Sequence, residues 1–251
     1  MDNVTAQLMS SLTSDFYRRV GESFSATRGS SWPGWERVLA AMEPREQDVL
    51  RVLDLACGNL RFERALFERF PRARAHAVDS CDGMAHIQDA RVTFQHLDIA
   101  QALLKGELFT RLDASRLDAA VSLAFMHHLP LYEQRVGLMD ALAESVRPGG
   151  IAAVSFWQFA DDTRLLAKAQ AATEAASGRY DLSSFGKDDY LMGWQAERDA
   201  FRFCHHCSDD EIDALIESVA GKARVLERFS ADGASGALNQ YVILECKGAV
   251  S

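Results

Sequence analysis

A chain of 251 residues with 27 Lys and Arg against 36 Asp and Glu carries a formal charge of −9, and 48% of it is hydrophobic and 25% charged. That balance belongs to a globular chain, not to a disordered, collagenous or coiled-coil one, and the length suffices to bury a core without disulfide or metal staples. The excess of acid argues against tight unaided binding to a phosphate backbone, because such binders show a basic footprint.

The first residues, MDNVTAQLMSSLTSDFYRR, lack the basic start and apolar centre of a signal peptide, and no apolar run approaches the ~20 residues that cross a bilayer. Five scattered cysteines, an odd number, suit a reducing compartment, so a cytoplasmic chain with no membrane partner is expected. Residues 1–45 read as an N-terminal helical cap of two helices, the second entered at Trp32-Pro33, since proline suits the first helical position. From Leu50 to Cys246 short aliphatic runs alternate with amphipathic stretches, the pattern of βα units around a largely parallel sheet; the fold class is α/β, one domain over 1–251.

Strands are predicted at 50–56, 73–79, 91–98, 117–124 and 150–159, each a compact apolar run suited to a sheet covered on both faces. LRFERALFERF places Phe62, Ala65, Leu66 and Phe70 on one helical face, and YEQRVGLMDALAESV does the same with Val136, Met139, Leu142 and Val146 before Arg147-Pro148-Gly149-Gly150 stops it. Residues 161–207 read as an inserted lid, an alanine-rich helix followed by an aromatic segment of little periodicity. Ser208-Asp209-Asp210-Glu211 is a capping box that starts a helix running to about Val219. KARVLERFS and ALNQYVILEC then read as two strands across a Gly/Ser/Asp turn, which closes the sheet with an antiparallel pair.

The chemistry concentrates at strand ends. In VLDLACGNLRF an apolar strand runs into Asp54, then the small-residue turn Ala56-Cys57-Gly58-Asn59, then a helix, and small residues there let the backbone approach a nucleotide-like ligand. The dinucleotide fingerprint needs three glycines and only Gly58 is in place, which disfavours NAD or FAD. Asp79 ends the second strand, placed to take two ribose hydroxyls, and Asp98 follows the third. Three such acceptors on one sheet edge suit a cationic, amino-bearing adenosine ligand; the bland alternative is that aspartates commonly end strands as turn residues.

VLDLACGN, AVDS with Gly83-Met84 beyond it, QHLDI, DAAVSLAFMHHLP and SVRPGGIAAVSFW together resemble the successive motifs of class I S-adenosylmethionine-dependent methyltransferases. The resemblance covers residues 50–157 and implies a Rossmann-like sheet of order 3-2-1-4-5-7-6 with an antiparallel last strand and helices on both faces. It also implies S-adenosylmethionine as cofactor, with Asp54 and Ala56, Cys57, Gly58 and Asn59 against its methionine end. Asp79 and Ser80 would then lie at the ribose, Met84 near the adenine, Asp98 and Ile99 at the adenine amino group, and Leu123 and Ala124 beside the sulfonium. Ala56 and Leu60 stand where the commoner pattern has glycines, which leaves the path of the turn open.

FYRRVGESFSATRGSSWPGW at 16–35, His127-His128, DDYLMGW at 188–194 and FRFCHHCSDDEIDAL at 201–215 further resemble flanking motifs of the tRNA wobble-uridine carboxymethyl methyltransferases, which esterify a carboxylate. This implies Tyr17 on the cofactor side, Trp32, Trp194 and His205 on the substrate side and a tRNA acceptor; Arg28 could pair with the carboxylate of the cofactor's methionine end or of the acceptor, or be an exposed surface arginine, and a local basic surface or an activating partner protein could supply the positive charge that the composition lacks. A carboxylate needs no general base at neutral pH, whereas a phenol or amine could draw on His127 or His128. The open alternatives are a small-metabolite acceptor, which the charge favours, and a non-catalytic binding subunit, for which the altered glycine turn is the only motive. Cys204-His205-His206-Cys207 are too close in sequence to converge on one tetrahedral ion, so no metal is expected. The arginines at 61, 64, 69, 72 and 74, interleaved with Glu63 and Glu68, read as a solvated mixed-charge helix face.

Overall fold

In a computed structural model the chain is described over residues 1–27, 29–43, 49–81, 89–114, 116–194 and 197–247. Helix α1 (Asn3–Ala26) starts at Asp2, whose carboxylate accepts the Thr5 N–H, and α2 (Pro33–Ala41) has Pro33 in its first turn. The sheet follows: β1 (Arg51–Leu55), β2 (Arg74–Asp79), β3 (Val92–His96), β4 (Leu117–Ser122) and β5 (Val146–Trp157). Between these strands lie α3 (Arg61–Arg69), the short α4 (Ile99–Leu104) and α5 (Leu108–Arg111), a 3₁₀ turn at Met126–His128 and α6 (Tyr132–Ser145). Beyond β5 come α7 (Thr163–Ser177), β6 (Asp189–Trp194), β7 (Glu197–His205), α8 (Asp209–Ser218), β8 (Ala223–Ala231) and β9 (Asn239–Cys246).

The main sheet runs β3-β2-β1-β4-β5-β9-β8, parallel through β5, with β9 antiparallel to both neighbours. This is the Rossmann-like arrangement expected from the motifs, with β8 and β9 in the last two places. Side chains alternate across it: Leu53, Leu55, Val78, Met139 and Leu142 share one apolar layer, and Val52, Phe62, Leu66, Val121 and Tyr241 the other. Burying each such large side chain contributes ~1.5–3 kcal/mol, enough to hold helices on both faces. Cys57, Cys204, Cys207 and Cys246 are free thiols, and no described helix is long and apolar enough to cross a membrane.

Two expectations are corrected. Helix α6 passes directly into β5 at Val146, so Arg147-Pro148-Gly149-Gly150 is an irregular start of the strand and not a separate turn. The strand register shifts between Leu117 and Ala119, and the close approach there needs glycine: a Cβ on Gly150 would lie 2.5 Å from the Asp118 carbonyl oxygen. The aromatic segment within 161–207 contains the antiparallel β6–β7 hairpin. It lacks a period of two because both its faces are covered: Phe201 and Phe203 pack with Met9 and Ala176, Ala200 with Phe16 and Val20, and Cys204 with Phe159.

Candidate functional site

Strand β1 ends in a turn bent by left-handed residues. Ala56, Gly58 and Leu60 have φ of 69°, 55° and 58°, so the two non-glycine residues adopt the backbone that glycines favour. Ala56 and Cys57 donate their N–H groups to the Val78 carbonyl at 2.9 and 3.2 Å, and Gly58 donates to Asp79 Oδ2 at 2.9 Å. The turn thus keeps the glycine-type path, and the motive for a non-catalytic reading disappears. Left-handed backbone costs a non-glycine residue about 1–2 kcal/mol, of which glycine's extra chain entropy returns up to about 1. Leu60→Gly is therefore expected to stabilise the protein by about 0.5–1 kcal/mol in urea unfolding; a lower midpoint would show that the Leu60 side chain outweighs the strain.

Asp54 and Glu63 lie together beneath this turn, 3% and 1% exposed. No amide, hydroxyl or guanidinium donor reaches Asp54 Oδ1 or either Glu63 oxygen among the described residues. Burial first, and then their mutual repulsion in the case of Asp54, raises both above the usual carboxylate range, so the two neighbouring carboxyls retain a proton between them. Glu63 is accordingly not on a solvated helix face as the charge pattern suggested. Asp79 is held differently: its Oδ1 accepts the Cys81 N–H at 2.9 Å as Oδ2 accepts Gly58, and these bonds oppose the rise that burial imposes.

A cavity of about 250 Å³ opens over these strand ends. Asp54, Ala56, Cys57, Gly58, Asn59, Asp79 and Ser80 line one side, continued by Asp98, Ile99, Leu123 and Ala124. Asp98 is the N-cap of α4, accepting from Gln101 N at 3.0 Å and from the Ser14 hydroxyl at 3.1 Å. Ala124 has φ 62° and donates its N–H to the Ser155 hydroxyl oxygen at 2.8 Å, which fixes the loop after β4. The cavity is also lined by Tyr17 from α1, Trp32, His127, His128 and Arg202. His128 Nδ1 must donate to the Phe203 carbonyl at 2.8 Å, so in the neutral ring Nε2 accepts the Tyr17 hydroxyl at 2.9 Å.

Two expected residues do not line this cavity. Trp194 stands behind it, with its ring 4.8 Å from that of Phe24 and its indole N–H on the Ser23 hydroxyl at 3.2 Å. His205 is further away in function: Nδ1 donates to Asp189 and Nε2 to Glu211, both at 2.7 Å. Burial pulls the His205 pKa down, but the two carboxylate bonds prevail and set it above its ordinary value; Glu211 is correspondingly lowered despite burial. Arg135 completes the network, bonding Glu211 at 2.6 Å and the Leu129 carbonyl at 2.6 Å. The donor atoms of His205, Cys207 and Glu211 do converge within 4.8 Å, a grouping not visible in the sequence. Burial, however, keeps the Cys207 thiol protonated, and the adjacent guanidinium supplies positive charge where a metal would sit. Arg28 and Met84, expected at the cofactor, lie outside the described residues.

The methyltransferase-domain family matches residues 32–219, three quarters of the chain. The chain belongs to this family. The methyltransferase is 28% identical over 141 residues to the tRNA (carboxymethyluridine(34)-5-O)-methyltransferase ALKBH8 of Mus musculus, a match covering 56% of this chain and 19% of that protein. It is also 28% identical over 165 residues to the tRNA (carboxymethyluridine(34)-5-O)-methyltransferase of Arabidopsis thaliana, covering 61% and 34%. The matches therefore span only a fifth to a third of those relatives. Among solved structures, the Burkholderia thailandensis 1,6-didemethyltoxoflavin-N1-methyltransferase superposes with a TM-score of 0.59 at 14% identity, covering 97% of this chain and 91% of that one.

The methyltransferase uses S-adenosylmethionine, and its residues fit that group. The left-handed turn brings backbone close to the cavity, and Asp54 and Asp79 line it beside that turn. Several cavity residues were not singled out from sequence. Ser10 and Ser14 precede Tyr17 on α1 at helical spacing, a polar stripe that was there to be read. Arg202, inside FRFC, carried no such signal. Arg61 is drawn in between Trp32 and Trp35, 5.4 and 5.2 Å from their rings, and donates to the Ser30 carbonyl.

Proposed function

We propose that this methyltransferase esterifies a carboxylate, that of a tRNA wobble carboxymethyluridine. The carrying observation is that acids and guanidiniums line one cavity together. Among the described residues its only acids, Asp54, Asp79 and Asp98, sit at the ends of β1 and β3 and of β2 between them, where the motifs place the cofactor. The same cavity is lined by aromatic rings with Arg61 and Arg202, and by His127 and His128. The acids suit a cationic cofactor, and the guanidiniums suit an anionic acceptor.

S-adenosylmethionine supplies a methyl group on a sulfonium, whose transfer to a carboxylate oxygen requires no proton to be removed. The protein's work is then to hold the acceptor in line and keep water out. Trp32, Phe24 and Trp157 close the cavity with apolar surface, and the Tyr17–His128 bond ties α1 to the turn after β4. In this reading His127 and His128 shape the acceptor side and act as no base. Trp32 is the ring against which the acceptor base would stack, and Trp194 supports that wall from behind through Phe24.

A small-molecule acid is the second reading, favoured by the overall charge of −9. A partner protein supplying positive charge would reconcile that charge with tRNA. Methyl label from S-adenosylmethionine, traced through a cell extract with and without added protein, is expected in the tRNA fraction and to be released by mild base as an ester would be. Label confined to small molecules would overturn the tRNA acceptor, and base-stable label would overturn the carboxylate.

A further inference from the structure

Arg202 is a buried cation with no anion bonded to it among the described residues. It projects from β7 into the cavity wall, is 5% exposed, and its Nε and Nη1 have no hydrogen-bond acceptor among the described residues. Its guanidinium lies 4.8 Å from the Phe16 ring centre and 5.2 Å from that of Phe24, both on α1. Ring faces return only part of what a buried charge loses on leaving water. The cavity's own carboxylates are committed elsewhere: Asp79 to Gly58 and Cys81, Asp98 to Ser14 and Gln101, Asp54 to Glu63. The thiol of Cys204, two residues along the strand, is no counter-ion, because burial pushes it up to about 11. A second orphan donor lines the same cavity, the Ser10 hydroxyl, 1% exposed and unbonded.

We infer that Arg202 is the docking residue for the acceptor's carboxylate, with the Ser10 hydroxyl as an auxiliary donor. This rests on the carboxylate reading above and adds the residue that selects the acid over its amide. One carboxylate oxygen accepts from the guanidinium. The other forms the new bond to the methyl carbon as the sulfur–methyl bond breaks and its electron pair stays on sulfur; no proton moves. The ester formed is neutral, so its hold on Arg202 falls as soon as it is made, which favours release of product over product inhibition.

The test compares the wild type with Arg202→Met and Arg202→Lys. For tRNA carrying 5-carboxymethyluridine, Arg202→Met is expected to raise KM about tenfold to a hundredfold, the loss of a charge-assisted bond, and Arg202→Lys less. Affinity for S-adenosylhomocysteine and the melting temperature should not fall, since the methionine removes an unpaired charge. In the ¹⁵N-arginine spectrum of the S-adenosylhomocysteine complex, the Nε–H resonance of Arg202 should shift with 5-carboxymethyluridine and not with 5-carbamoylmethyluridine. If tRNA is esterified with unchanged KM in Arg202→Met, or if affinity for S-adenosylhomocysteine falls in parallel, the docking role is overturned while the proposed reaction stands. If the wild type esterifies no tRNA, the tRNA reading falls, and the resonance decides alone with acetate as probe: a shift supports a carboxylate site at Arg202, and none removes it.

Discussion

Asp79→Ala is expected to weaken binding of S-adenosylhomocysteine by at least about a hundredfold, two charge-assisted hydrogen bonds at ~1.5–3 kcal/mol each being at stake. The carboxylate does two things at once. Towards the protein it accepts the Gly58 and Cys81 N–H groups, both at 2.9 Å, and so braces the turn after β1 from the neighbouring strand. Towards the cavity, which it lines, each oxygen retains a second lone pair for a ribose hydroxyl. Alanine removes both functions and leaves two amide donors facing an apolar methyl. Asp79→Asn divides them: it keeps one oxygen for one backbone donor but turns an NH₂ towards the other, so an affinity between wild type and alanine is expected. Calorimetric titration with S-adenosylhomocysteine decides the matter. Unchanged affinity in the alanine variant would refute the ribose role.

The part of the site on strand ends was legible because its information is local. Asp54, Asp79 and Asp98 each follow an apolar run within a few residues, and the sheet's topology brings successive strand ends to one edge whatever the rest of the chain does. Ala56 and Leu60 depart from glycine in the sequence, but the bonds to Val78 and the brace from Asp79 hold the turn on the left-handed path, and no pattern in the turn reveals that. The capping box was half legible. Ser208 does accept from Glu211 N at 3.3 Å, whereas the Glu211 carboxylate is taken by His205 and Arg135, residues 6 and 76 positions away. Arg202 and the β6–β7 hairpin were hidden for one reason. Helices on both sides bury the hairpin, so alternation between apolar and polar residues vanishes, and a single arginine amid aromatics gives no hint of which wall it faces.

His205→Ala is expected to destabilise the protein by about 3–5 kcal/mol, the cost of leaving buried charges unpaired, and so a large fraction of the ~5–15 kcal/mol that holds a typical domain together. Asp189, His205, Glu211 and Arg135 form a chain of alternating charge, each link at 2.6 or 2.7 Å, with side chains no more than 16% exposed. Both ring nitrogens donate, so the histidine is an imidazolium and the four charges cancel. Alanine leaves two carboxylates with one guanidinium, and the network that fastens β6, β7 and α8 to the start of α6 loses its centre. The pH dependence separates this from mere loss of packing. His205, raised above its ordinary 6.5, contributes fully below that value and loses its contribution as pH climbs through the folded pKa. Glu211, lowered from 4.5, contributes above that value and loses it as pH falls through the depressed one. The network therefore stabilises most between the two, and the gap in melting temperature between wild type and His205→Ala should be widest there and narrow as the solution is made alkaline. A gap that stays constant through that rise would show a neutral histidine held by packing alone, and the alternating-charge account would be wrong.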